Sequence, residues 1–288
     1  MKLKRESIIL LVLLLLLCGV GCGGGQKSGE KTREQEKEMP KAFMEIHSGA
    51  LAIVQQADLL PAVNRLKGQA QTKDSGAGKE GDKGGTKVGD LTYEDTLLGE
   101  LLKAEGFDTG NEELPSDAEM IWDNIGRTIM GLHSRWNELQ PQIMRENIPA
   151  EDINTFEGEL DSLTLFSNER NYFATMDSAN RLTGSLAGLM PPFADKKVLP
   201  AYELSFHLRN IVLRAAADDY AKAQESLDYI LRRAPALEES LDKKKFRALG
   251  SSLGDLQRVV QKQNLNLIIL NSAVAMKNIA GVEKEGAA

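Results

Sequence analysis

The segment from Ser116 to Ile143 constrains the fold more strongly than any other part of the sequence. Its large apolar residues alternate four- and three-residue steps, the spacing of a heptad stripe along one face of a long helix. Such a stripe is buried only if a neighbouring helix packs against it at a shallow angle. The stripe consists of Ile121, Ile125, Ile129, Leu132, Trp136, Leu139 and Ile143.

Local signals predict where this helix begins and ends. Ser116 and Glu119 have the spacing of a capping box, in which the serine oxygen accepts from an orphan N–H and the glutamate reaches back. Pro141 lacks a backbone N–H and is expected to end or bend the helix near Leu139. Trp136 lies on the stripe and is therefore expected in the core.

The same helical periodicity recurs along the rest of the chain, and no region shows sustained alternation of apolar and polar residues. We therefore predict an all-α fold, a bundle of about seven to nine antiparallel helices. Further helices are expected from Leu91 to Ala104, after a cap at Asn147, from Tyr202 to Ala217, and over a last segment from about Glu238 to Ile279.

A faint internal duplication accompanies this pattern. A handful of identities over about thirty residues recur at one constant offset, which would fit two related helical hairpins in a bundle, or a short solenoid. The matching pairs are Leu160–Leu163 with Leu253–Leu256, Asn171 with Asn264, and Ala187-Gly188 with Ala280-Gly281.

The N-terminus has the organisation of a secretory signal peptide. Lys2, Lys4 and Arg5 precede an unbroken apolar run from Ile8 to Leu17, which is too short to span a bilayer comfortably. Small residues then lead to Cys22. An uncleaved signal anchor is the alternative interpretation.

Val20, Gly21 and Cys22 resemble the lipobox of bacterial lipoproteins, although Gly19 stands where that family usually has Leu. The resemblance implies that residues 1–21 are removed and that Cys22 carries the lipid, palmitate among its acyl chains. It also implies an extracytoplasmic protein that is anchored to the bacterial cell membrane. Cys18 would leave with the signal peptide, so the mature chain would hold neither a free thiol nor a disulfide.

Composition divides the remaining chain. Glycine and charged residues without large apolar side chains predict a disordered tether and a flexible linker. The linker leaves open whether the helix before it docks on the bundle, moves independently, or is itself a docking peptide. The predicted segments are a tether at 22–40, an amphipathic helix at 41–67, a Gly-rich linker at 68–90, the helical-bundle domain at 91–280 and a disordered tail at 281–288.

The charge balance excludes some partners. The formal net charge is −7, and residues 1–21 carry +2, so their removal leaves −9. Nucleic acids and anionic lipid surfaces both require a basic footprint. We therefore expect neither as the main partner, apart from the membrane that is reached through the lipid on Cys22.

Catalytic and metal-binding motifs are not evident. His47, His133 and His207 lie on different predicted helices without a second ligand at metal-binding spacing. No nucleophile motif or carboxylate pair can be defended, so we predict no enzymatic activity, no cofactor and no metal. The weak candidates for a ligand or partner surface are Trp122, Asn171, Asn180 and His207.

Two functional hypotheses remain. The first is a non-enzymatic binding or scaffold domain for an envelope protein or peptide, which predicts an exposed apolar groove between helices. The alternative is a carrier or sensor that holds haem, a metal or an organic solute in the bundle interior. That alternative predicts a cavity lined by polar, His or Met side chains.

Overall fold

The structure is a computed structural model and describes residues 39–73, 86–107, 112–280 and 282. The predicted signal peptide, Cys22 and the tether up to residue 38 lie outside the described residues. So do residues 74–85 of the predicted linker and, except for Val282, the predicted tail. None of the described helices is long and apolar enough to cross a membrane.

The described residues form nine α-helices and two short 3₁₀ segments, Val88–Asp90 and Ala234–Leu237, and no β-strand beyond one antiparallel bridge between Lys87 and Glu113. The prediction of an all-α helical bundle is confirmed. The helices are α1 (Lys41–Lys73), α2 (Gly99–Glu105), α3 (Ala118–Ile143), α4 (Ala150–Asn168), α5 (Tyr172–Leu189), α6 (Leu199–Ala216), α7 (Tyr220–Arg233), α8 (Lys243–Gln261) and α9 (Leu265–Ile279).

Helix α3 confirms the heptad prediction. All seven stripe residues are buried, and the ring of Trp136 packs on Phe156 of α4 with the ring centroids 4.4 Å apart. The indole N–H of Trp136 donates to Glu157 at 3.1 Å, so the polar edge of the buried ring is satisfied. The stripe thereby joins α3 to its neighbours α1 and α4.

The N-terminal cap of α3 lies one residue later than predicted. Asp117, and not Ser116, is the N-cap, and its carboxylate accepts from the N–H of Glu119 at 3.3 Å. This shift takes Glu119 out of the position that closes a capping box. Its carboxylate instead accepts two hydrogen bonds from Arg170, at 2.6 and 2.7 Å.

Two prolines lie inside helices. Pro141 does not end α3 near Leu139, because the helix continues to Ile143, and Pro61 does not end α1, which continues to Lys73. Each proline removes one backbone hydrogen bond. The apolar residues on both sides of each proline are buried, and this burial offsets the lost bond.

Helix α1 is part of the bundle core rather than an addition to a domain that begins at Leu91. It packs against both α3 and α5. Phe43, Ile46 and Ile53 are fully buried, so the helix covers apolar surface that the other helices would otherwise expose to water. The question that the sequence left open is therefore decided in favour of docking.

Three other boundaries differ from the predictions. The segment after Leu91 forms turns up to α2, because Thr92 and Asp95 hydrogen-bond locally and compete with a helix there. Helix α4 starts after Pro149 without a side-chain cap, so Asn147 is not its cap. The last predicted segment is divided into α8 and α9 by a left-handed residue, Gln263, with φ 53°.

Three helical hairpins share one kind of turn. In α4/α5, α6/α7 and α8/α9, three residues separate the helices, and the middle one has φ between 53° and 56°. The third residue of each turn is an Asn or Asp whose side chain caps the next helix. The left-handed residues are Arg170, Asp218 and Gln263, and the caps are Asn171, Asp219 and Asn264.

Helix α6 lies at the centre of the assembly of hairpins. It contacts its own hairpin partner α7, the first hairpin through α5, and the last hairpin through α9. Helix α9 in turn packs against α8 and the short helix α2. The arrangement brings side chains of α1, α2 and α5 to the buried side of α6.

Candidate functional site

A fully buried arginine on α6 forms the most extensive polar cluster in the described core. Arg209 has no exposed surface, and its Nε donates to Asn180 of α5 at 2.8 Å. One terminal nitrogen donates to both carboxylate oxygens of Glu105, at 2.5 and 2.6 Å. The other donates to the hydroxyl of Thr183 at 2.9 Å.

This cluster is suited to joining helices rather than to binding a ligand. A buried ion pair is tolerated only if its remaining donors and acceptors are hydrogen-bonded, and each nitrogen of Arg209 has a partner within the chain. Glu105 ends α2, while Asn180 and Thr183 lie on α5. The guanidinium therefore fixes α2 and α5 against α6.

The other end of α2 is held by a second carboxylate. Asp58 of α1 is buried and accepts from the N–H groups of Leu97 and Leu98 at 2.8 and 2.7 Å. Burial raises the pKa of Asp58 to about 6, although these backbone hydrogen bonds oppose the shift. Helix α2 is thus fastened at its start to α1 and at its end to α6.

His47 of α1 lies close enough to this cluster to be affected by it. Its ring is buried and meets Tyr202 edge-on with the centroids 5.1 Å apart. Burial, and then the positive charge of Arg209, lower the pKa of His47 to about 3. The imidazole is therefore neutral near pH 7 and is too weak a base for proton transfer there.

The remaining histidines are on other helices. His133 of α3 lies 3.0 Å from the Thr164 hydroxyl, measured from its Nε2. His207 of α6 stacks on Tyr229 with centroids 4.0 Å apart, and burial lowers its pKa to about 4. No group of three or more His, Cys, Asp or Glu side chains that could hold a metal ion occurs within the described ranges.

A second polar cluster joins four helices at the α5–α6 contact. Asp177 of α5 accepts hydrogen bonds from Arg181 and from Arg214 of α6. Arg181 also donates to Glu159 of α4 at 2.8 Å. Arg214 donates to Asn210 at 3.2 Å, and Asn210 donates to Ser226 of α7 at 2.8 Å. Like those around Arg209, these side chains therefore hydrogen-bond to one another within the chain.

The four candidates from the sequence have four different roles. Trp122 is half-buried against the core, and Asn171 caps α5 by accepting from Ala174 at 3.1 Å. Asn180 belongs to the Arg209 cluster. His207 packs between Phe206 and Tyr229, and its buried Nδ1 has no hydrogen-bond partner in the part of the chain that the structure describes. They do not make up a shared binding surface.

Sequence reasoning missed Arg209 and Glu105. A signal was present, because Arg209 follows Leu208 and precedes Ile211 and Val212, where a charge interrupts an apolar helix face. A charged side chain at such a position is rarely buried without a partner. The partner could not be read from the sequence, since Glu105 is 104 residues away.

Two depressions differ in size and in what they could hold. One between α1 and α2, lined by Leu59, Leu102 and Phe107 among others, has a volume of 20 Å³, room for about one water. The other has a volume of 260 Å³ and is open to solvent. It is lined by Val63, Leu66, Lys67, Thr86, Leu114, Pro115 and Ser116.

The exposed face of α9 carries an apolar stripe, which we call the α9 stripe. It comprises Leu267, Leu270 and Val274, which are 39%, 38% and 55% exposed, and ends at Lys277. These residues are separated by three or four positions and so lie on one side of the helix. The opposite side of α9 is buried against the core.

Among the described residues, the α9 stripe is the only set of three exposed large apolar side chains at helical spacing on one helix. Comparison of the chain with models of protein families, with curated proteins and with solved structures finds no match.

Proposed function

We propose that this protein is a membrane-anchored extracytoplasmic lipoprotein whose helical bundle binds an envelope protein or peptide without catalysis. The anchor is the lipid on Cys22, which the likeness of Val20-Gly21-Cys22 to a lipobox supports. The binding role is supported by one observation above all, the exposed apolar side chains of the α9 stripe.

A surface helix normally places its apolar side chains on the buried face and polar ones outside. Helix α9 departs from this pattern, because Leu267, Leu270 and Val274 are each more than one third exposed on the same side of the helix. Single exposed apolar residues are common, whereas a contiguous group on one helix is typical of an interaction surface.

The described interior gives less support to a carrier of small ligands. The polar groups around Arg209 and Asp177 hydrogen-bond to one another, so a ligand there would have to break those bonds. The cavity of 20 Å³ is far below the several hundred cubic ångströms that small-molecule sites occupy. The binding role therefore uses the described surface and leaves the core intact.

The anchor is tested by growing the host with an alkyne-labelled fatty acid. The full chain should incorporate the label and fractionate with membranes, and Cys22→Ser should abolish both. Cys18→Ser is the matched control and should change neither. Label that remains in the Cys22→Ser variant would contradict the anchor.

The binding role is tested in intact cells with a photo-crosslinking amino acid at single exposed positions of the full chain. Suitable positions lie on four helices, at Met130, Leu165, Tyr172 and Leu270. We expect a discrete protein adduct from at least one of them. Absence of a protein adduct from all four positions, together with a small bound ligand detected by native mass spectrometry, would favour the carrier alternative.

A further inference from the structure

The first and last hairpins are related by one constant offset of 93 residues. Helices α4 and α8 both have 19 residues, and the offset maps their starts and ends onto each other. It also maps the left-handed Arg170 onto Gln263, the cap Asn171 onto Asn264, and the start of α5 onto the start of α9. The faint sequence duplication thus has a structural counterpart.

The offset relates the buried faces as well. Thr175, Met176, Ala179, Leu182 and Leu186 of α5 are buried, and so are their equivalents in α9. Those equivalents are Ile268, Ile269, Ser272, Ala275 and Ile279. The two helices therefore use the same face to enter the core.

Their other faces differ in what covers them. The α9 stripe, at 267, 270, 274 and 277, corresponds to Ala174, Asp177, Arg181 and Gly184 of α5. Helix α6 packs on that part of α5: Arg214 binds Asp177, and the Phe206 ring lies so close to Gly184 that an added Cβ would come within 2.9 Å of it. Helix α6 thus packs on Asp177 and Gly184 in the first hairpin, whereas the equivalent residues of the last hairpin, Leu270 and Lys277, are exposed.

The charge of the last hairpin indicates which charge a partner bound to the α9 stripe would carry. Residues 243–280 carry seven Lys or Arg and one Asp, a net charge of +6, whereas the equivalent residues 150–187 carry −5. All seven cationic side chains are exposed. They are Lys243, Lys244, Lys245, Arg247, Arg258, Lys262 and Lys277.

We infer that the α9 stripe docks an acidic amphipathic helix of a partner protein, laid along α9 as α6 is laid along α5. Its apolar residues would recur at three- and four-residue steps to meet Leu267, Leu270 and Val274. Its Asp and Glu would be attracted by Lys277 at the end of the stripe and by the positive charge of the hairpin as a whole. This inference rests on the proposed function, since it identifies the surface and the chemistry of the bound envelope protein.

The same charge disfavours a second copy of this chain on the stripe. A symmetric dimer through α9 would bring two hairpins of +6 together, and like charges across an interface oppose association. A membrane surface is disfavoured by the duplication, because the counterpart of the stripe receives a helix with a specific side-chain pattern.

The test places the photo-crosslinking amino acid at Leu270 or Val274 of the full chain in its host, with Met130 of α3 as the matched control. Met130 is also apolar and exposed, at 66%, but lies outside the stripe. We expect adducts from 270 and 274 to one protein, joined at a segment that has acidic residues and helical apolar spacing, and no such adduct from 130.

Charge reversal tests the electrostatic part. The double variant Arg258→Glu and Lys277→Glu should lower the yield of the adduct from position 270 by about tenfold. Lys196→Glu, at an exposed lysine outside the hairpin, should leave it unchanged. Thermal unfolding of each variant establishes that the bundle is intact.

Four results would overturn the inference. They are an adduct to lipid, an adduct between two copies of this chain, an adduct to a segment without acidic helical character, and a yield that charge reversal does not change. Adducts from Leu165 or Tyr172 but not from 270 or 274 would overturn it while leaving the proposed binding role in place. If no position gave an adduct, both the inference and the proposed binding role would be contradicted.

Discussion

The hairpins α4/α5 and α8/α9 have the same turn and first helices of equal length, but the outer faces of their second helices carry opposite kinds of side chain. The stripe of α5 that α6 covers contains the charged residues Asp177 and Arg181, whereas the uncovered stripe of α9 contains Leu270 and Val274. Burial alone would predict the reverse distribution. The difference shows that a charged face can be packed against if the neighbouring helices supply the matching charges.

Helix α6 supplies the charge that matches Asp177, α4 supplies Glu159 for Arg181, and α6 also contacts α9 of the last hairpin. Arg214 pairs with Asp177, and Arg209 hydrogen-bonds to Asn180. The loss of a single polar group at the α5–α6 contact should therefore lower the stability of the protein. Substitutions in the exposed α9 stripe should change its stability little. Four predictions test this contrast.

The largest effect is expected from Arg209→Met. The variant would leave the carboxylate of Glu105 and the amide of Asn180 buried without their main partner, at a cost of about 3–5 kcal/mol in the free energy of unfolding. Urea-induced unfolding measures this loss.

A second substitution in the same pair supplies the control. Combining Arg209→Met with Glu105→Leu removes both charges and should recover most of the lost stability, because apolar groups often replace a buried ion pair at little cost. An Arg209→Met protein as stable as the wild type would show that the cluster does not hold the helices together.

The next largest effect is a pH dependence of the free energy of unfolding, which comes from the buried His47. The folded pKa of His47 is lowered to about 3, so the unfolded chain binds a proton first as the pH falls below about 6.5. The contribution of His47 is therefore present above pH 6.5, and about 3 kcal/mol of it should be lost on acidification to pH 4.

The variant His47→Gln should lack this loss, as measured by urea unfolding of both proteins at several pH values. Asp58 acts in the opposite sense, since its raised pKa of about 6 gives a contribution that is present at low pH and lost as the pH rises through about 6. It is common to both proteins and cancels in the comparison. Parallel pH profiles would contradict the assignment to His47.

Swapping Asp and Leu at the equivalent positions 177 and 270 compares the two stripes directly. Asp177→Leu on α5 should cost about 2 kcal/mol, because Arg214 loses its carboxylate in a largely buried contact. Leu270→Asp on α9 should change stability by no more than about 0.5 kcal/mol, since the position is exposed. Equal costs in thermal unfolding would mean that the two stripes do not differ in coverage.

The smallest effect concerns the close approach of α5 and α6. Gly184→Ala would place a Cβ 2.9 Å from three atoms of the Phe206 ring and should destabilise the protein by about 1 kcal/mol. Gly188→Ala, one turn later in the same helix, meets nothing within 4 Å and should stabilise it by about 0.5–1 kcal/mol. The same sign for both variants in calorimetry would contradict this packing.

Much of the fold could be predicted because helical periodicity is local. The heptad stripe of α3 follows from residues within a few turns of one another. Predicted boundaries failed where tertiary contacts or local side-chain bonds decided them. Asp58, which holds the start of α2 from another helix, is an example.

The candidate site was less predictable. Asn180 is a candidate from the sequence, but its role depends on Arg209 of another helix. The sequence also does not distinguish the exposed apolar residues of α9 from the buried ones beside them. A helix that is apolar on several sides gives no internal sign of which side a neighbour covers. That information lies in the number and placement of the other helices.

The sequence by itself determined the all-α class, the long apolar stripe of α3 and the offset that relates the two hairpins, since these depend on spacing along the chain. Only the tertiary structure decided that α1 belongs to the core, that Arg209 joins three helices, and that Leu270 is exposed while Asp177 is covered. The physical reason is that a side chain is buried only where another part of the chain packs on it. Local spacing of residues in the sequence does not identify that other part.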